Sequence, residues 1–338
     1  MSSTETDVYR DVPDDPRTCG RELVVLEAIH AKISARSEVL RLLPHKERRM
    51  VGAWCFVDLY GPRPIDGADA MHVAPHPHTG LQTVSWLASG TVRHRDSLGS
   101  VADIMPGRAA VMTAGAGIAH SEDVVVPSGA DGGGGRFDQS ASAATVLHGA
   151  QLWVALPEAG RHGPREFVLH EPAPSVVTQT VRVAVFFGEL AGAVGPAQAQ
   201  TPLVGAELTP VGPSGGSAVV PVEAAYEHVL VPMGGTVTVA GVTVGEGQAL
   251  FLGTDRDEVE VALSADARIL LLGGAPFEEE IVMWWNFVAR THEEIEEARA
   301  RWNAGGDDRF GEVDYPEGER LTAPPLPNVR LKPRGRVR

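Results

Sequence analysis

Cysteine is nearly missing from this chain. Cys19 and Cys55 are its only two, and neither belongs to a CxxC pair. That argues against a disulfide scaffold and favours a reduced, cytoplasmic setting. Long apolar runs are missing too. None approaches the roughly 18 residues that a membrane span needs, and the polar, acidic start lacks the basic and apolar regions of a secretory signal. Positive charge is scarce, with 29 Lys and Arg against 44 Asp and Glu and a formal net charge of −15. Such a surface repels phosphate backbones and anionic lipids, which argues against direct nucleic-acid or membrane binding. No G-x-S-x-G elbow offers a serine nucleophile. Gly115-x-Gly117 opens no helical segment and has no acid at the distance a dinucleotide site requires. Cys55, inside Ala53-Trp54-Cys55-Phe56, reads as core.

What is present is a β-rich pattern. Of 338 residues, 43% are hydrophobic, enough for a real core, and 38 Gly and 25 Pro are spread throughout. Short Val-rich runs alternate with turn residues at Gln82–Leu87, Ala109–Met112, Leu152–Leu156, Val181–Phe187, His228–Pro232, Thr236–Val244, Ala249–Leu252 and Arg268–Leu272. Each is about strand length, so the fold class reads as all-β, a sandwich or barrel. One helix is predicted after Thr291, whose spacing to Glu294 fits a capping box. Ile295, Ala298 and Trp302 then share one face, and Glu297 can pair with Arg301.

The predicted organisation is an acidic tail over 1–18, a first barrel over 19–165, a second over 166–290, a packing helix over 291–303 and an irregular tail over 304–338. Ser128–Ala144, with its glycine run, reads as a loop. The basic end at Arg330, Lys332, Arg334, Arg336 and Arg338 reads as a solvated tail or a docking arm across a partner subunit. A monomer is the expected state.

Two histidine clusters carry the chemistry. His76-Pro77-His78 and His120-Ser121-Glu122 each place two donors two residues apart. On a strand, residues i and i+2 point to the same face. If the two strands are neighbours, four donors converge. Three imidazoles and a carboxylate suit Fe(II), Mn, Ni, Cu or Zn, and they leave an octahedral ion two open positions. Val84 and Trp86 share parity with His76 and His78, which predicts that they line the same cavity. His94-Arg95-Asp96 reads either as a turn held by its own polar groups or as a support beside the metal. His72 and His228 read as ordinary loop and structural histidines.

These motifs resemble a known family. Ala74 to Gln82 (A-P-H-P-H-T-G-L-Q), Gly90, His94 to Gly99, and Met112-Thr113-Ala114-Gly115-x-Gly117-Ile118-x-His120-Ser121-Glu122 closely resemble the pirin family of the cupin superfamily. So do Gln151 to Pro157 and the ending from Gly273 through Phe287-Val288 to the Thr291 helix. The resemblance implies two stacked cupin barrels (double-stranded β-helices) with metal in the first and the second metal-free. It implies iron, Fe(II), on His76, His78, His120 and Glu122. It also implies either a dioxygenase that cleaves flavonoid-like aromatics such as quercetin, with Glu122 as base, or an iron-dependent redox-sensing partner of a regulatory protein. Two departures stand out. Leu81-Gln82 replaces the aromatic-Glu usual in the family, marking Gln82 as a candidate for altered activity. Val282-Met283-Trp284-Trp285 replaces smaller residues, with a barrel interface or dimer contact as the expected consequence.

Overall fold

A computed structural model describes residues 23–32, 38–65, 71–126, 146–316 and 318–337. The acidic tail over 1–18, Cys19, the Ser128–Ala144 stretch and Arg338 fall wholly or largely outside the described residues.

The chain is mostly β and forms two cupin-like domains. Each pairs a seven-stranded sheet with a four-stranded one. In the first, the large sheet runs Glu166–Leu169, Ala110–Thr113, Leu81–Ser89, Val146–Ala155, Trp54–Pro64, Glu38–Leu43, Ile29–Lys32. Its small sheet runs His72–His78, Ile118–Val124, Val92–Asp96, Val101–Ile104. The second domain repeats the plan with Val24–Glu27, Gln248–Gly253, Glu227–Gly234, Arg268–Gly274, Leu203–Pro210, Val181–Phe187 and Ser175–Thr178.

Patterning explains the layers. Glu258–Leu263 (E-V-E-V-A-L) alternates exposed and buried residues because one face of its small sheet meets water. Trp54–Pro64 instead begins with seven buried residues in a row. Its sheet is covered on both faces, by the small sheet and by the other domain. Where the two large sheets meet, Trp86 stacks on Phe186 at 4.7 Å, and Trp54 meets Phe187 edge-on at 5.7 Å. Such aromatic pairs add about 0.5–1.5 kcal/mol each beyond their buried area. The indole N–H of Trp54 is not stranded there, since it donates to the carbonyls of Val204 and Gly273, both at 3.2 Å.

Four local outcomes differ from the sequence reading. Thr236–Val244 is a hairpin, Val237–Val239 against Val242–Val244, turned at Ala240 and Gly241 with φ of 48° and 80°. Val24–Glu27 crosses over to edge the second large sheet against Gln248–Gly253. Glu166–Leu169, just past the predicted boundary, still pairs with Ala110–Thr113 of the first. The basic end, although Arg330, Lys332 and Arg334 are exposed, is tied to the body of the chain. Arg334 exchanges two backbone hydrogen bonds with Ile281, and Arg336 Nη1 lies 2.6 Å from Glu227 Oε1. Glu227 is fully buried and also accepts from Arg48 Nη1 and the Gly52 N–H, both at 3.0 Å. A buried carboxylate is tolerable only when so satisfied, so the basic end is pinned by charge.

The helix spans His292–Ala304, with Thr291 Oγ1 accepting from the Glu294 N–H. Its buried residues, Ile295, Ala298 and Trp302, pack with Ala119 and Phe287, behind the strand that carries His120.

Candidate metal centre

His72–His78 and Ile118–Val124 are antiparallel neighbours, with His120 directly opposite His76. The i, i+2 rule therefore puts His76, His78 and His120 on one interior face. Their ligating nitrogens all lie within 4.8 Å of one another, and all three rings are buried. Among the described residues this is the one cluster of three or more such side chains close enough to hold an ion.

Each ring has one nitrogen already committed. His76 Nδ1 contacts the Ala74 carbonyl at 2.9 Å, and His78 Nδ1 contacts the Asn286 carbonyl at 3.1 Å. A carbonyl only accepts, so both Nδ1 atoms carry the proton and both Nε2 atoms carry a lone pair. For His120 the same result is reached through a chain. Asp96 accepts from His94 Nε2–H at 3.0 Å, which leaves His94 Nδ1 as an acceptor, 3.3 Å from His120 Nδ1. His120 Nδ1 is then the donor, and its Nε2 is bare. Burial raises the cost of ionising Asp96, but hydrogen bonds from His94, Ser100 and Leu98 outweigh it and hold the carboxyl below its usual range.

The result is two lone pairs facing each other. His78 Nε2 and His120 Nε2 are 3.1 Å apart. Without a shared cation they repel. Two imidazoles each about 2.1 Å from one ion and roughly at right angles would stand about 3 Å apart. The donor set thus fits a divalent metal. Burial drives the His76 pKa down to about 4, and it drives those of His78 and His120 lower than usual as well. All three rings are therefore neutral and ready to ligate at neutral pH.

Glu122 lies beyond this trio. Its buried carboxylate opens on the same cavity, with Oε1 3.4 Å from Ser85 Oγ. Burial raises its pKa to about 7. The cavity measures about 270 Å³. Phe56 and Trp153, stacked at 4.0 Å, form part of its wall, and Trp153 meets His78 edge-on at 5.2 Å. A hairpin from the second half of the chain, Val282–Trp284 against Phe287–Ala289, contributes Met283, Trp284, Trp285 and Asn286 to the lining. Its turn holds Trp285 at φ 52°, and Val288 N–H ties it to the Thr79 carbonyl at 3.0 Å.

The Pirin family model matches residues 34–154, and the Pirin C-terminal cupin domain model matches residues 213–311. The chain belongs to the pirin family. A Pseudomonas aeruginosa protein named as a proposed quercetin 2,3-dioxygenase is 40% identical over 88% of this pirin and 88% of its own length. A Caulobacter vibrioides pirin-like protein is 35% identical over 85% of this pirin and 94% of its own length. The crystal structure of a quercetin 2,3-dioxygenase from Acinetobacter baumannii superposes with a TM-score of 0.82 at 36% identity, covering 91% of this pirin and 97% of that chain.

Not every residue singled out from sequence reaches the site. Val84 and Trp86 do not line this pirin's cavity. They are fully buried between the two large sheets. Gly80, at φ 69°, turns the chain from the small sheet into the large one and resets the parity. Only glycine fits there, because a Cβ would sit 2.2 Å from the Val288 carbonyl oxygen. It is Ser85, one residue out of phase, that faces Glu122. Gln82 also points away from the cavity, donating to Thr113 Oγ1 at 3.0 Å and to the Gln198 carbonyl at 3.3 Å. His94 stands between Asp96 and His120. It backs His120, and its partner Asp96 caps the Leu98 and Ser100 N–H groups. His72 pairs with Asp123 at 3.0 Å, and His228 is buried in the second domain. Trp284 and Trp285 line the cavity where their hairpin packs onto the first domain.

Sequence reasoning missed Arg41, Asp58, Tyr60, Gln151 and Trp153, which line the cavity. A signal existed for one of them. Asp58 interrupts the otherwise apolar run from Ala53 to Tyr60, and a lone acid in a buried strand is rarely idle.

Proposed function

We propose that this pirin is an iron-dependent dioxygenase of the quercetinase type, with the metal held by His76, His78, His120 and Glu122. The observation that carries this reading is the set of three bare, buried imidazole nitrogens opening onto an aromatic-walled cavity. The resemblance to proteins named as quercetin dioxygenases supports it. The cavity lies near the lower end of the usual range for small-molecule sites, roughly 300–1,000 Å³, and its stacked rings suit a planar aromatic ligand.

When bound, iron supplies the Lewis acidity and redox capacity that an aromatic enol needs to react with dioxygen. The chain's own residues do the rest. Glu122, the one carboxylate of the set, would shift off the metal to take the proton from the substrate hydroxyl as general base. Ser85, which donates to Gln151, lies 3.4 Å from that carboxylate. Asp96 and His94 hold His120 in the ligating tautomer, and Asn286 does the same for His78. Phe56 and Trp153 wall the substrate and keep water from it.

The test is anaerobic reconstitution with Fe(II), addition of quercetin, and then admission of oxygen. Oxygen-dependent bleaching of the flavonol band with release of carbon monoxide is expected. Fully iron-loaded protein that leaves the band unchanged in oxygen would refute the reading.

A further inference from the structure

The interior face of the first large sheet carries a polar row that the chemistry above does not use. Arg41 lies opposite Asp58, Asp58 opposite Gln151, and Gln151 opposite Ser85, across four adjacent strands. Arg41 clasps Asp58 with two hydrogen bonds of 2.8 and 2.7 Å. Ser85 Oγ donates to Gln151 Oε1 at 2.9 Å and approaches Glu122. The row thus runs from Glu122, beside the histidines, out to Arg41. The neighbouring row is aromatic, with Phe56 opposite Trp153. Arg41 covers the Phe56 ring at 4.5 Å, and Trp153 touches His78, so two rings separate Arg41 from the metal ligands.

Stability alone does not account for the Arg41–Asp58 pair. Asp58's side chain is only 3% exposed, and replacing a buried ion pair with apolar residues of similar volume is often neutral or stabilising. Seen from the cavity, the pair is electrically balanced and offers a donor beside an acceptor. A neutral hydroxyl can use both, donating to Asp58 and accepting from Arg41. A carboxylate would meet the charge on Asp58.

We infer that this row selects planar aromatic substrates hydroxylated along one edge, with Arg41 and Asp58 reading the hydroxyl farthest from the metal. The inference rests on the cavity being the substrate site proposed above. It adds the residues that set specificity and the substituent they recognise.

The probes are quercetin, hydroxylated on its pendant ring, and galangin, bare on that ring. Binding is followed by tryptophan quenching of the metal-loaded full chain without oxygen. Quercetin should bind about tenfold tighter than galangin. Arg41→Met and Asp58→Asn should each bring that ratio within about twofold. A wild-type ratio near one overturns the inference without any variant, and so does a ratio that survives in both variants. Oxygen uptake separates this from the parent reading. Selective binding without turnover leaves the inference standing and removes the dioxygenase. Turnover with equal affinities does the reverse, and no binding of either flavonol removes the inference.

Discussion

The Nε2 atoms of His78 and His120 face each other at 3.1 Å, while each ring's Nδ1 is hydrogen-bonded elsewhere. The fold therefore holds two lone pairs together before any ion arrives, and a bound cation relieves their repulsion.

Metal should therefore stabilise the protein strongly. At a metal concentration a thousandfold above Kd, binding adds about 4 kcal/mol. Chelation should lower the Tm by several degrees, and His78→Ala should abolish both the bound metal and the response to chelator. Elemental analysis and thermal shift check this together. Stoichiometric metal in the His78→Ala protein would sink the assignment.

Asp96 should matter although it touches no metal. Its Oδ1 accepts from the N–H groups of Leu98 and Ser100. In Asp96→Asn that oxygen stays in place, so an NH₂ faces His94 Nε2. His94 must then carry its proton on Nδ1, His120 Nδ1 must accept, and the His120 proton moves to Nε2, where the metal belongs. Metal affinity should fall about 10–100-fold, while far-UV circular dichroism stays unchanged. Unaltered affinity in a competition titration would exclude this proton chain.

The pH dependence of metal-free stability should carry the mark of Glu122. Its folded pKa, about 7, lies above the ordinary value of 4.5. The protonated acid therefore contributes stability that is full below pH 4.5 and lost as pH rises through about 7. The whole effect corresponds to about 3 kcal/mol. The buried histidines act oppositely, since His76, with a pKa near 4, loses stability as pH falls from 6.5 towards that value. Comparing wild type with Glu122→Gln cancels the histidines. The wild-type unfolding free energy in urea minus that of the variant should fall by about 2–3 kcal/mol from pH 5 to pH 8, with chelator present throughout. A constant difference would show that Glu122 titrates normally.

Glu227 should be the costliest single residue at the domain junction. Glu227→Ala takes the carboxylate away from Arg48, whose side chain is 7% exposed, and should destabilise by about 3–5 kcal/mol. Truncation after Val329 removes Arg336 but leaves the Arg48 pair, so it should cost about 1–3 kcal/mol. Denaturant midpoints at constant m-value test the order. A larger loss from the truncation would reverse it.

Much of the fold was legible because strand periodicity and turn chemistry are local. Val181–Phe187 could be read directly, and the pairing of His-x-His with His-x-Glu needed only the i, i+2 rule. What escaped was set by distant contacts. The parity of Val84 and Trp86 failed at one residue, Gly80, whose positive φ answers to a carbonyl more than 200 residues away. The Asn286 carbonyl that orients His78 is backbone, and no side-chain pattern reports it. Arg41 and Asp58 look like ordinary strand residues until their cross-strand register is known. The ion pairs of the basic end required knowing where Glu227 is buried.

The crossover of Val24–Glu27 bears on how the molecule can be taken apart. The first described strand edges the second sheet, and a hairpin from the second half roofs the first half's histidines. Each half thus lends the other a piece. Expressed separately, one fragment would have an open sheet edge and the other a histidine cluster without its cover. Mixed together, the two should recognise each other and reassemble, as interlocking parts do, and metal retention would report the reunion.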